Sequence, residues 1–127
     1  MNTYTETTDG VRITVQPVFL EERSNIANGE FFFVYFVSIE NQRAESVTLL
    51  RRHWYIKDDG GMDYEVEGEG VVGEKPTIAP GGLHSYNSFC VLKSFQGSME
   101  GKYSMQLEDG SAFDVVIPKF YLRARMN

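Results

Sequence analysis

The chain has 127 residues, 42% of them hydrophobic and 24% charged, with a net charge of −6. That is the length of one domain (1–127) with one real core, and the acidic balance argues against an electrostatic grip on nucleic acid or an anionic membrane. A single cysteine, Cys90, excludes an internal disulfide and a four-thiolate zinc site.

Met1 to Gly10 is polar, with neither a basic flank nor an apolar run, so no secretory leader is expected. No stretch approaches the ~20 apolar residues of a membrane helix. A soluble, cytoplasmic protein without membrane insertion is the expectation. Period two then dominates the chain. Val11, Ile13 and Val15 alternate with Arg12, Thr14 and Gln16, a strand ending near Pro17, with Val18 to Leu20 as a continuation past a bulge. Asn28-Gly29 marks a turn. Phe31 to Ile39 is apolar on both faces and predicts a central strand covered at least partly on both sides. Val47 to Lys57 reads as a third strand, with Leu50, Trp54 and Ile56 on one face and Leu49, Arg51, His53 and Tyr55 on the other. A short helix over 41–52 is the competing reading there.

Asp58-Asp59-Gly60-Gly61 is a strong turn, and Tyr64 to Glu69 alternates weakly. Leu83 to Leu92 predicts a strand, and Ser94 to Gly97 a turn. Met99, Tyr103, Met105 and Leu107 alternate with polar residues up to Asp109-Gly110. That dipeptide closes a hairpin onto Ala112 to Ile117, whose inner face is Phe113, Val115 and Ile117, and Pro118 ends it. About seven or eight short strands and no helix predict an antiparallel β-sandwich, immunoglobulin-like or fibronectin type III-like, with Trp54 as core anchor. A closed barrel is the alternative.

Gly68-Glu69-Gly70-Val71-Val72-Gly73 matches G-x-G-x-x-G. A dinucleotide site needs that motif between a strand and a helix. Pro76, Pro80 and Gly81-Gly82 follow instead, and no lysine stands where a P-loop needs one. Two readings remain: an ordinary loop whose glycines permit positive φ and close backbone approach, or a nest of N–H groups cradling a phosphate. Glu69 and Glu74 oppose an anion there; Arg51, Arg52, His53 or Lys75 favour one if the fold gathers them. The candidate ligand-binding residues are therefore Gly68, Gly70, Gly73, Arg51, His53 and Lys75, with phosphate, pyrophosphate or a nucleotide as ligand.

Asp58 to Glu74 holds seven carboxylates with no intervening Lys or Arg. Clustered oxygens suit weak Mg²⁺ or Ca²⁺ association; the other reading is a solvated acidic edge that discourages strand-to-strand aggregation. His53, His84 and Cys90 are the residues a softer ion such as Co²⁺ would choose, and nothing in the sequence brings them together. His84 and Cys90 lie six residues apart, about 20 Å along one strand, which excludes a direct nucleophile–base pair. Cys90, between apolar neighbours, reads as buried and inert. The serines lack a nucleophile-elbow context. No catalytic residue and no cofactor is expected.

From Arg52 to Tyr121 a run of strings resembles one family: Arg52-His53-Trp54-Tyr55-Ile56, VEGEGVVGEKP over Val66 to Pro76, Ile78-Ala79-Pro80-Gly81, YNSFC over Tyr86 to Cys90, GSMEGKY over Gly97 to Tyr103, and Ile117-Pro118-Lys119-Phe120. All resemble the ApaG family, also called CorD, and the resemblance extends back through Phe31 to Asn41 and Val11 to Pro17. It implies an immunoglobulin- or fibronectin-like sandwich and a genetic link to cobalt resistance and magnesium efflux. The same domain in eukaryotic F-box proteins looks like a protein-interaction module, and the family has no established catalytic activity. Phe89 stands where a glycine is usual and Ser94-Phe95 replaces a Thr-Pro turn, adding aromatic surface there. The expectation is thus a non-enzymatic binding module with an unidentified protein partner. Phosphate or nucleotide binding at the glycine loop, or direct divalent-metal binding, are the alternatives. A homodimer through sheet edges is a further arrangement, though no residue singles it out. Without a membrane span, any effect on efflux is indirect.

Overall fold

The computed structural model describes residues 2–125. Nine strands form: β1 (Tyr4–Thr8), β2 (Val11–Phe19), β3 (Phe31–Asn41), β4 (Val47–Asp58), β5 (Tyr64–Glu69), β6 (Thr77–Ile78), β7 (Leu83–Leu92), β8 (Gln96–Gln106) and β9 (Ala112–Arg123). Every pairing is antiparallel. One sheet has the order β1-β2-β3-β7, and the other β5-β4-β8-β9 with β6 beside β4. The two face each other as a sandwich, and alternate residues of each strand fill the space between. Val11, Ile13, Val15, Phe33, Val37 and Ile39 enter from the first sheet, and Leu49, Trp54, Tyr103, Met105, Val115 and Ile117 from the second. Only two single-turn 3₁₀ segments, Glu21–Arg23 and Ile26–Asn28, interrupt the β structure among the described residues.

The competing helix over 41–52 does not form. Buried Asn41 instead fixes a tight connection: its Nδ2 donates to the carbonyls of Glu45 (2.8 Å) and Ile78 (2.9 Å), and its Oδ1 accepts from the Arg43 N–H (2.9 Å). Several expectations are corrected. β1 forms from the polar opening because Tyr4 alone reaches the core, its ring 6.3 Å from Phe120. β2 passes through Pro17 in unbroken register, with no bulge. β3 is central within its sheet, as expected, with one face buried and the other only partly covered: Phe32 and Val34 are half-buried there and Phe36 is 46% exposed. Pro118 does not end β9: a bulge opposite Glu100 absorbs the proline, and the strand continues to place Phe120 and Leu122 in the core. In β4 the register slips between Leu49 and Arg51. That bulge puts Leu49, not Leu50, on the buried face with Trp54 and Ile56.

Candidate functional site

The two long sides of the sandwich differ. On one, Tyr4 lies against Phe120 and Tyr121 and joins the sheets. On the other, β5 and β7 face each other across a seam where the Tyr64 hydroxyl lies 3.7 Å from Cys90 Sγ. A cleft of about 280 Å³ opens there between the sheets, lined among others by Tyr35, Arg52, Trp54, Val72, Tyr86 and Ser88.

The bulge at Leu50 decides what enters this cleft. Past it, Arg51 and His53 point outward, while Arg52 pairs across β8 with buried Tyr103 and turns inward. The glycine loop then holds the guanidinium. Arg52 Nη1 donates to the carbonyl oxygens of Glu69 and Gly70, each at 3.0 Å. Gly68 sits directly over that group; a Cβ there would stand 2.8 Å from Nη1. At Gly70, φ is +63° and a Cβ would meet the Glu74 carbonyl oxygen at 2.1 Å. The loop closes through reciprocal Val71 and Glu74 backbone bonds of 2.8 and 3.0 Å, around Val72 (φ 48°) and Gly73 (φ 77°), a two-residue turn with both central residues left-handed. The N–H of Gly70 is taken by the Leu50 carbonyl (2.8 Å). Three loop N–H groups are thus bonded within the protein, and the loop turns carbonyl oxygens toward Arg52.

The tyrosines form the other wall. The hydroxyls of Tyr86 and Tyr103 hydrogen-bond to each other. Burial pushes the phenols of Tyr35, Tyr86 and Tyr103 above their ordinary range, with nearby Arg52 pulling weakly the other way. Tyr64 is also raised, first by burial and then by Cys90. Burial likewise raises the Cys90 thiol, opposed by its bond to Tyr64, so it stays protonated.

The remaining sequence candidates divide between two places. Lys75 lies beside the loop, its Nζ 3.1 Å from Glu69; that bond is the first cause holding the Glu69 carboxyl below its ordinary range, and the Arg51 charge adds to it. His53 stands on the outer face, its ring nitrogens 2.7 Å from Glu65 and 2.9 Å from Glu67. The fold therefore holds Gly68, Gly70 and Gly73 in one loop with Lys75 beside it, and leaves Arg51 and His53 together on the outer face of β4, so that Arg52 alone of these cations enters the cleft. His84 and Cys90 lie toward opposite ends of β7. Of the seven carboxylates, Asp58 is buried and accepts from Lys93 N–H (2.7 Å) and Ser94 Oγ (3.1 Å), which ties two turns together. Among the described residues no group of three or more His, Cys, Asp or Glu gathers to hold a metal ion. Sequence reasoning missed the Tyr35–Tyr86–Tyr103 wall. The alternation of Tyr86, Ser88 and Cys90 along β7 was the signal available.

Comparison with known proteins agrees with the strings over Arg52 to Tyr121. The family model for the ApaG domain matches residues 21–107. Protein ApaG of Bradyrhizobium sp. (strain ORS 278) is 45% identical over 119 residues, covering 94% of this chain and 92% of that protein. Protein ApaG of Anaeromyxobacter dehalogenans (strain 2CP-C) is 46% identical over 118 residues, 93% of each. The crystal structure of an ApaA protein from Bordetella pertussis superposes with a TM-score of 0.86 at 33% identity, covering 98% of both chains. The chain belongs to the ApaG domain family.

Proposed function

We propose that this ApaG domain is a non-catalytic interaction module that recruits a partner protein by strand addition at β7. One observation carries the reading. Sheet edges normally carry charge or proline to prevent pairing with other chains. β1 has Glu6, β5 has Glu65, Glu67 and Glu69, and β9 has Asp114, Pro118 and Lys119. β7, an edge of ten residues, has no Asp, Glu, Lys, Arg or Pro along its length. Beside it on the outer face, Phe89 stacks on Phe32 at 5.2 Å, and Phe36 is exposed. An extended partner segment gains main-chain bonds from the edge and aromatic anchors from that face.

The link to cobalt resistance and magnesium efflux enters through family resemblance, and we assign it to the recruited partner rather than to transport by this chain. A nucleotide phosphate at the glycine loop has less support, because its N–H groups at Gly70, Val71 and Glu74 are already bonded. Exposed Asn87 lies mid-strand on β7, and Asn87→Lys places a charge on the edge without touching the core. Wild-type protein should retain a partner whose cross-links map to β7, and N87K should lose it while keeping its melting temperature. A second copy of the chain as partner would appear as an N87K-sensitive dimer in sedimentation. Cross-links confined to other strands, or no partner at all, would overturn the reading.

A further inference from the structure

Arg52 is a cation turned toward an aromatic interior. Nη1 is bonded to two carbonyl oxygens, and none of the ion pairs among the described residues includes Arg52. A charge half-removed from water without a counter-charge is costly. The cleft it faces is also lined by Tyr35, Tyr64, Tyr86, Ser88 and Cys90, which carry polar tips, and by the apolar side chains of Trp54, Ile56 and Met99.

We propose that this cleft binds a small organic carboxylate with a flat apolar body, its carboxylate on Arg52 and its body between the aromatic walls. A planar guanidinium can take a planar carboxylate through parallel N–H···O bonds, and one positive charge balances one carboxylate. A phosphate dianion would require a second cation, and the nearby Lys75 is engaged by Glu69 outside the cleft. The volume, about 280 Å³, lies just below the ~300–1,000 Å³ usual for ligand pockets, which limits the ligand to one ring. Val72 adds an independent sign. This β-branched residue is held at a positive φ of 48° while 65% exposed, a conformation that costs stability, and it lines this same cleft. The proposal does not rest on strand addition at β7.

The chain has one tryptophan, and it lines the cleft, so its emission reports occupancy. Phenylacetate should shift Trp54 fluorescence saturably in the millimolar range; phenylacetamide, with the same ring and no charge, should not. Inorganic phosphate should fail to displace phenylacetate. Arg52→Gln should weaken binding at least about tenfold, and Asn87→Lys should leave it unchanged, which separates the cleft from the partner-binding edge. No saturable response to phenylacetate, equal responses to acid and amide, displacement by phosphate, or full binding by R52Q would each overturn the assignment. If R52Q does not fold, the acid–amide comparison on the unaltered protein decides.

Discussion

The glycines of the G-x-G-x-x-G string have three separate physical causes. Gly68 makes room for the Arg52 guanidinium, Gly70 lets backbone approach backbone, and Gly73 supplies only a left-handed turn, with nothing within 4 Å of its absent Cβ. These causes predict different costs. Gly70→Ala must both strain φ and displace the Glu74 carbonyl, and should lose at least about 2 kcal/mol. Gly73→Ala pays only the left-handed penalty, about 1 kcal/mol. Val72→Asn should gain roughly 0.5–1 kcal/mol, because asparagine tolerates the conformation that valine resists. Urea unfolding midpoints of the three variants check the ranking. The motif was legible as a string, and its loop reading rested on sound turn chemistry. What it held was not legible, because the inward turn of Arg52 depends on one extra residue in β4.

At the scale of strands, legibility followed alternation and turn chemistry. β7 was expected at its observed limits between two turns, and the weak alternation over Tyr64 to Glu69 coincides with β5, which is exposed along almost its whole length. Trp54 was expected in the core and is 2% exposed. The face of β4 was misassigned upstream of the bulge, since strict period two cannot register a slip. The far half of β9 was missed because proline normally stops a ladder, whereas the bulge opposite Glu100 lets Pro118 sit in it. β1 was missed for another reason: Tyr-Thr-Glu-Thr-Thr is polar, and its strand exists because β2 offers a ladder to pair with. Removing residues through Thr8 would strip Tyr4 from Phe120 and bare the edge of β2. We expect a loss of about 2 kcal/mol and aggregation on warming, measured by thermal unfolding with light scattering.

Across the whole molecule, the inner tyrosines couple the fold to alkali. Tyr35, Tyr86 and Tyr103 keep their protons above the ordinary value of 10.0, chiefly because burial disfavours phenolate. The unfolded chain releases those protons near that value. Stability is therefore fully present below pH 10 and falls as pH rises beyond it, by about 1.4 kcal/mol per pH unit for each buried phenol. Phenolate absorbance of these three should appear together with unfolding, not before it. A rise in a still-folded protein larger than the chain's four other tyrosines can supply would contradict their placement. The asymmetry of the two long sides has a mechanical corollary. A sandwich stitched by Tyr4 along one margin and parted along the other is hinged like a book, so β5 and β7 should surrender their amide hydrogens to deuterium first, and β2 and the β9 amides bonded to β8 last. Whatever enters between the pages would close them, and the order of exchange would record its arrival.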